Sequence, residues 1–357
     1  MLGLILLLLS SRMPAALAVP SDLAFTQVPA HFNSLELTTG SRGLGETCFS
    51  RLTMPDGSVC NPAYLPEYDD SIVLARVYFG NGYEALSTAN SLLDKPISKE
   101  FLEDLFKNNN VSSVEAQLGL VFTTRYFQAA FSPYRVQYTS EVHNPNLPVV
   151  ALHAANERNI TLNGGAPLKL VDSSLEDFTL GTRVRFIERV FVHGSFSSFD
   201  LATQTTQQLL PVHRQKALYF DPQLGWVPKG APWKLRGSIG LKNLGKATPP
   251  DPLYPEYVDV QGGLGVEPPV GFGDLKIGID VVDLCHAEEL EDRFRFGASY
   301  KLGILEPMVG LNSDAATAGL QFSLQIFQAG IVYEFATSDD AGTPAKNRLA
   351  TEVSIKI

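Results

Sequence analysis

The segment RFRFGASYKL (residues 293–302) alternates between apolar side chains and small or charged ones. The apolar set is Phe294, Phe296, Ala298, Tyr300 and Leu302, and the other set is Arg293, Arg295, Gly297, Ser299 and Lys301. Successive side chains of a β-strand point to opposite faces. A period of two over this length therefore predicts a strand with one apolar face and one polar face.

The same alternation recurs elsewhere in the chain. The segments are KLRGSIGLKNLG (234–245), DLKIGIDVVDL (274–284), GLQFSLQI (319–326) and LATEVSIKI (349–357). Their second face carries glycine, serine, glutamine and charged side chains, a composition that suits the interior of a water-filled barrel. The charged residues that we expect on this inner face are Lys234, Arg236, Lys276, Asp280, Arg293 and Arg295.

Two architectures produce strands with one apolar face. A soluble sandwich buries that face against a second sheet, whereas a transmembrane barrel turns it toward lipid. The alternating segments run for about ten residues, which matches a tilted bilayer crossing, while strands of soluble sheets are commonly about five or six residues long. The pattern therefore favours an all-β fold, a transmembrane antiparallel β-barrel of about 14 strands.

Extending the pattern outward from the clear segments places the wall of the barrel within residues 71–357. The predicted strands are 71–80, 113–124, 126–140, 148–162, 177–192, 215–221, 233–244, 257–267, 271–284, 292–303, 305–312, 316–326, 328–337 and 348–357.

Two stretches interrupt the strand pattern. Residues 84–107 form a helical insertion, because apolar residues recur there at a spacing of three and four, and we expect it to cap or plug one mouth of the barrel. Residues 200–233 are rich in Gln, Thr and Pro and predict a long loop. Its Trp226 and Trp233 are expected at the membrane interface, where tryptophan is enriched.

The beginning of the chain predicts export. Leu2 to Leu9 is an apolar run of eight residues, far short of the roughly 20 needed to span a bilayer as a helix. The run and the Ala16-Leu17-Ala18 pattern indicate a secretory signal peptide over residues 1–18, although no Lys or Arg precedes the run. The net charge of −10 argues against a nucleic-acid partner.

Three cysteines fit an exported protein that uses few disulfides. Cys48 and Cys60 flank a short loop, and a disulfide between them would restrict the unfolded chain by about 3 kcal/mol. The alternative is a pair of buried free thiols. Cys285 is left without a partner in either case.

The stretch before the first strand resembles the N-terminal signature of the FadL-like outer-membrane proteins, which include the long-chain fatty-acid transporters, PorV-type barrels and TraF-like proteins. The matching elements are Gly40-Ser41-Arg42-Gly43-Leu44-Gly45 and Asn61-Pro62-Ala63-Tyr64-Leu65. The GLKNLG segment and the Asp280 strand are similar to the PorV branch.

This resemblance implies that residues 19–70 fold into the barrel as a hatch. The glycines Gly40, Gly43 and Gly45 would then allow close packing or positive φ. Pro62 would bias Asn61 toward an extended conformation and turn the chain from hatch to wall. A Cys48–Cys60 disulfide would staple the hatch.

The expected function is that of a passive channel in the bacterial outer membrane for small, hydrophobic molecules. The alternatives are a PorV-like accessory barrel that shuttles or anchors secreted proteins, and a soluble exported β-protein that binds a ligand. The expected partners are outer-membrane lipid and the barrel assembly machinery. The sequence shows no catalytic motif and no metal-ligand spacing, so we expect neither enzyme activity nor a metal or other cofactor.

Overall fold

The computed structural model describes residues 38–81, 99, 102–103, 112–143, 149–251, 254, 257–285, 293–313, 315–337 and 347–357. These residues form one closed antiparallel sheet. Its strands are β1 Ile72–Asn81, β2 Ser112–Thr123, β3 Phe127–His143, β4 Val149–Pro167, β5 Phe178–Ser197, β6 Val212–Trp226, β7 Arg236–Lys242, β8 Leu244–Thr248, β9 Asp259–Val266, β10 Asp274–Val281, β11 Phe294–Lys301, β12 Leu305–Leu311, β13 Ala315–Ser323, β14 Phe327–Ala336 and β15 Arg348–Lys356.

Strands that follow one another in the chain pair with each other, with one exception. Both β7 and β8 pair with β6, and β9 pairs with β7. The break between them lies at Asn243, which has a φ of 64°. Counting β7 and β8 as halves of one strand, the wall has 14 strands, and the predicted fold is confirmed. Each predicted strand overlaps a strand of the structure, with bounds that differ by several residues for β6 and β7.

The sheet closes between its first and last strands. The register runs from Leu74 opposite Lys356 to Gly80 opposite Ala350. Closure leaves the wall without free sheet edges at this seam, which removes a site for aggregation. We call the end of the barrel where β1 begins and β15 finishes the termini end, and the opposite end the far end.

The apolar set of side chains faces outward. Phe296, Val309 and Leu320 are 38%, 52% and 39% exposed, whereas Gln321 and Glu352 on the inner face are 1% and 2% exposed. A soluble sheet of this size would bury the apolar set, so the arrangement is that of a barrel whose outer face meets lipid. It does not support the alternative of a soluble exported β-protein.

The remaining elements whose bounds lie within the described residues are short. The α-helices are α1 Thr39–Gly43, α2 Ser198–Thr203 and α3 Thr206–Leu209, and the 3-10 helices are Pro62–Glu67, Leu168–Leu170, Ser173–Leu175 and Pro232–Lys234. Among the described residues, no helix combines the length and the apolar character that a bilayer crossing requires.

One side of the barrel is taller than the other. β3, β4 and β5 contain 17, 19 and 20 residues, which exceeds the ~9–11 residues of a bilayer crossing. Toward the far end their outward side chains are buried, in contrast to the exposed Ile160 and Leu162 lower on β4. The cluster that covers this outer face consists of Leu102, Val114, Val136, Tyr138, Val150, Leu152, Ala154, Val192, Phe196, Leu201 and Leu210.

The predicted helical insertion at 84–107 lies outside the described residues, except for Lys99, Leu102 and Glu103. Leu102 packs in the cluster on the outer face, so this part of the insertion covers the wall and does not plug a mouth. The segment 1–18, predicted as a signal peptide, also lies outside the described residues.

The predicted long loop at 200–233 is wrong where β6 occupies Val212–Trp226, which is 15 residues of that range. Leu218, Phe220 and Leu224 face outward, and Gln215, Asp221 and Gln223 face inward. Pro222 lies within this strand, and a proline normally argues against a strand in the interior of a sheet. Its presence concealed the alternation beyond residue 221.

Candidate functional site

The residues before β1 lie inside the barrel. Leu44, Asn61, Ala63 and Tyr64 have no exposed surface, and the segment contacts inner-face residues on strands around the wall. We call the described part of this segment, residues 38–70, the hatch. The predicted start of the hatch at residue 19 precedes the described residues.

Glycines of the wall make room for the hatch backbone. A Cβ added to Gly165 of β4 would lie 2.5 Å from the carbonyl oxygen of Pro62, and one added to Gly297 of β11 would lie 2.5 Å from the carbonyl oxygen of Leu44. Real Cβ atoms do not approach other atoms so closely. The small side chain is therefore required where the hatch passes the wall.

The first turn of the hatch is built by its own side chains. The Thr38 hydroxyl accepts a hydrogen bond from the Ser41 backbone N–H at 2.9 Å and caps α1. Gly45 then adopts a φ of 59°, a conformation that glycine tolerates without steric cost. Gly43 lies where an added Cβ would be 3.1 Å from Met308 and Val332, and Gly40 packs against Pro55.

The second turn is built around Asn61-Pro62-Ala63. The Asn61 side chain accepts from the Ala63 N–H at 3.0 Å and donates to the carbonyl oxygen of Phe49 and the hydroxyl of Ser238. Pro62 begins the 3-10 helix, where its missing N–H costs nothing. One side chain thus links the two halves of the hatch to β7.

The predicted disulfide is confirmed, because Cys48 and Cys60 are joined with a Cα–Cα distance of 5.5 Å. Cys285 is free and exposed. The bridge joins the segment that follows the first turn to the residue directly before the Asn61 turn.

Asp280 of β10 anchors the hatch to the wall through backbone hydrogen bonds. Its carboxylate accepts from the backbone N–H groups of Cys48, Phe49 and Ser50 at 2.5, 2.7 and 2.9 Å. Asp280 has no exposed surface. Three donors on one carboxylate satisfy a buried charge that would otherwise be costly.

Arg42 of α1 lies among carboxylates of the hatch and the wall. Its guanidinium contacts Glu46 at 2.9 Å, Glu115 of β2 at 2.9 Å and Glu334 of β14 at 3.7 Å. Burial lowers the pKa of Arg42, but Glu115 and Glu334 outweigh it and the net pKa is raised. Glu46 also pairs with Arg295 of β11 at 3.1 Å, so this cluster ties α1 to three strands.

Five of the six predicted inner-face residues lie in the wall or directly before a wall strand, and they have different partners. Asp280 and Arg295 contact the hatch as described, and Lys276 donates to the hydroxyl of Thr53 at 3.2 Å. Arg236 pairs with Glu267 of the wall at 2.7 Å, and Arg293 lies just before β11, half-buried.

Lys234 is a correction to the predicted set. It ends the 3-10 helix at Pro232–Lys234 with a φ of 46°, and its side chain is 75% exposed. The chain enters the wall only at Arg236, so Lys234 lies at the rim of the barrel. The predicted strand therefore begins a few residues too early in the chain.

Several residues of the site were not predicted. On the wall, Glu115 and Glu334 bind Arg42, Ser238 binds Asn61, and Glu352 binds Thr39. In the hatch, Asp56 binds Arg76 of β1. The signal for the wall residues was available, since polar side chains on the inner face of a predicted strand have to find partners when a hatch fills the lumen.

A second polar layer lies between the hatch and the far end. Glu157 of β4 pairs with Arg189 of β5, and with Arg135 of β3 at 3.4 Å. The Arg189 guanidinium lies 3.8 Å from the ring centre of Tyr254, whose hydroxyl is 2.9 Å from the Nε2 of His153. Tyr254 thus reaches into the lumen from the loop after β8.

Comparison of the sequence with protein-family models and with curated proteins finds no match. Similar solved structures include the toluene transporter TbuX of Ralstonia pickettii, at 10% identity and a TM-score of 0.48 over 91% of this chain and 98% of that one. The toluene transporter TodX of Pseudomonas putida gives 10% identity and 0.49 over 90% and 97%. Outer membrane phospholipase A of Escherichia coli gives 9% and 0.37 over 83% and 98%. Likeness at this level carries no conclusion, and the fold rests on the chain's own strand pairing.

Proposed function

We propose that this chain is a FadL-like channel of the bacterial outer membrane that lets small, hydrophobic molecules pass when its hatch moves. The observation that carries the proposal is the independence of wall and hatch. β1 closes the sheet by pairing with β15, and the hatch contributes no strand to the wall. The hatch can therefore move without opening the sheet.

The path for a hydrophobic solute follows an apolar seam between hatch and wall. The seam is formed by Leu44 and Met54 of the hatch, Met308 of β12 and Val332 of β14. Methionine is unbranched and adapts its shape to its neighbours at low cost. Displacing the hatch along this seam exposes apolar side chains, which suit an apolar solute better than an ion.

Transport along this path is passive. The solute moves down its gradient, and the hatch sets the rate by the fraction of time for which it is displaced. The polar contacts of Asp280, Arg42 and Asn61 hold the closed state. The free energy of opening is then the free energy of the contacts that break, minus the free energy of the contacts that the displaced hatch makes in their place.

The proposal is tested with intact cells that express the protein in their outer membrane. Uptake of the small hydrophobic dye N-phenylnaphthylamine is measured for the wild type, for an empty vector and for the double variant Cys48→Ser, Cys60→Ser. We expect the double variant to take up dye faster than the wild type, because the hatch loses restraint worth about 3 kcal/mol. Heat-modifiable migration on SDS gels should remain, since the wall does not include either cysteine.

Equal dye uptake by the wild type, the well-folded double variant and the empty vector would reject the channel. It would favour the PorV-like accessory barrel, which shuttles or anchors secreted proteins without conducting solutes. The observation that favours this second function is the tall side of the barrel. There β3 to β5 rise beyond a bilayer crossing with a helix-covered outer face, which presents a folded protein surface outside the membrane.

A further inference from the structure

The outer face of the wall carries a group of exposed cations where β4, β5, β6 and β8 lie side by side. Arg158 of β4 and Lys216 of β6 stand in register on either side of Glu188 of β5. On β6, Arg214 is the next outward side chain toward the far end. On β8, Lys246 lies one outward position nearer the termini end than the residue opposite Lys216. We call Arg158, Arg214, Lys216 and Lys246 the cationic patch, and all four are exposed.

The cationic patch has an excess of positive charge. Glu188 pairs with Lys216 at 2.7 Å, and it is the only acidic side chain on the outer face of these four strands, all of whose residues the structure describes. Arg158, Arg214 and Lys246 form no ion pair with any described residue. Four cations and one carboxylate leave a net charge of +3, so charge complementarity selects an anionic partner.

The cationic patch lies at one boundary of the lipid-facing surface. From Lys216 to Trp226, β6 advances ten residues, which is about 33 Å along the strand and about 25 Å of height at the ~40° tilt of such barrels. The apolar band of outer-membrane barrels is also about 25 Å tall. The outward side chains of β6 between these two residues are Leu218, Phe220, Pro222 and Leu224. The patch therefore lies at the level of the lipid head groups on the side of the far end.

The lengths of the connections assign the two ends of the barrel. No connection between strands at the termini end exceeds ten residues, and the structure describes all of them. Four connections at the far end are longer, among them residues 82–111 and 198–211. Outer-membrane barrels have short periplasmic turns and longer extracellular loops. The far end therefore faces the outside, and the cationic patch lies in the outer leaflet.

We propose that the cationic patch binds the phosphate groups of a lipid in the outer leaflet. The guanidinium groups of Arg158 and Arg214 match phosphate oxygens, and the two lysines add point charges. From β4 to β8 the patch spans three strand spacings, about 14 Å, which suits a head group with more than one phosphate. The exposed apolar side chains directly below it, such as Ile160 and Leu218, would contact the acyl chains, so the ligand is a lipid and not free phosphate.

This inference goes beyond the proposed function. The cationic patch lies on the outside of the wall, whereas the hatch lies inside it. A channel and an accessory barrel would therefore bind the lipid equally.

The test uses the purified full-length protein in detergent, with diphosphoryl lipid A as the probe and native mass spectrometry to titrate binding. The triple variant Arg158→Gln, Arg214→Gln, Lys246→Gln removes the three cations that lack an ion pair. We expect about fivefold weaker binding for each cation removed, and so about 100-fold weaker binding for the triple variant. Lipid A without its phosphates should bind the wild type as weakly as diphosphoryl lipid A binds the triple variant.

The matched control removes three exposed cations at the termini end, with Lys169→Gln, Lys229→Gln and Lys234→Gln. This control should bind the probe with wild-type affinity. Equal affinities of the two triple variants would overturn the proposal. Displacement of the lipid by an equal concentration of inorganic phosphate would also overturn it, since the site would then bind a free anion. If the triple variant fails to assemble, Arg158→Gln alone decides, with a fivefold loss expected.

The outer leaflet is tested separately with Cys285, which is free and exposed just beyond β10 at the far end. A membrane-impermeant maleimide should label this thiol in intact cells. Labelling only after the cells are lysed would place the far end inside and overturn the assignment to the outer leaflet.

Discussion

The contact between Asp280 and the hatch makes a quantitative prediction. Asp280→Asn removes the charge and one acceptor oxygen while keeping the size of the side chain. Its Oδ2 accepts from Cys48 and Phe49, and its Oδ1 accepts from Ser50. With the amide oxygen in the Oδ2 position, the NH₂ group of asparagine faces the Ser50 N–H, so one hydrogen bond is lost and two lose their charge assistance.

Hydrogen bonds to charged groups contribute about 1.5–3 kcal/mol each. Asparagine retains two weaker bonds and removes the cost of burying a carboxylate, so we expect a net loss of about 2 kcal/mol in the docking of the hatch. This loss corresponds to an open hatch that is populated about 30-fold more often. Hydrogen exchange of the peptide around Phe49 and Ser50 should accelerate by that factor.

The matched control is Asp274→Asn on the same strand, whose side chain is exposed at the start of β10. This variant should exchange at the wild-type rate. Unchanged exchange in a well-assembled Asp280→Asn variant would refute the assignment of Asp280 as an anchor. Loss of heat-modifiable migration would show instead that docking of the hatch is part of barrel folding.

Three further variants test the outer face, the close contacts and the second turn. Phe296→Arg places a charge on the lipid face at a cost of about 2–4 kcal/mol near the midplane. Assembly, measured by heat-modifiable migration, should therefore fall for Phe296→Arg and stay normal for Phe296→Leu. Equal yields of the two assembled variants would mean that the face is misassigned. Gly181→Val should displace the hatch at Ala63 and raise dye uptake. Gly164→Val should not, because a Cβ added at Gly164 meets only the methyl group of Thr182, at 3.8 Å. Equal dye uptake by the two variants would contradict the close contact at Gly181. Asn61→Ala removes hydrogen bonds to three groups and should speed hatch exchange, with a loss of about 1–3 kcal/mol, and wild-type exchange rates would show that the turn holds without its side chain.

The strands were predictable from the sequence because each one faces lipid on one side and polar groups on the other. Apolar and polar side chains therefore alternate along it with a period of two. The Phe294 to Leu302 segment shows this directly, and even the short β12 was located from it. The pattern failed where a local feature interrupts it. Pro222 concealed the continuation of β6. At the beginning of β7, Lys234 has a positive φ, so the strand begins later than the alternating pattern predicts.

The cysteine pair and the Asn61-Pro62-Ala63 turn were also predictable, because their partners lie within the same short segment. Cys48 and Cys60 are 12 residues apart, and Asn61 caps the helix that follows it. Interactions of this kind depend on local chain geometry, which the residue types determine.

The partners of the hatch on the wall depended on the tertiary structure. Arg42 meets Glu115 across 73 residues, and Thr39 meets Glu352 across 313. Alternation places such carboxylates on the inner face, but it leaves open which of them lies at the height of the hatch. That height follows from the register of all the strands around the closed wall and from the wall glycines that admit the hatch backbone. The same holds for Arg51, whose Nε and Nη1 make no hydrogen bond among the described residues, because only the packed lumen shows which polar groups find a partner.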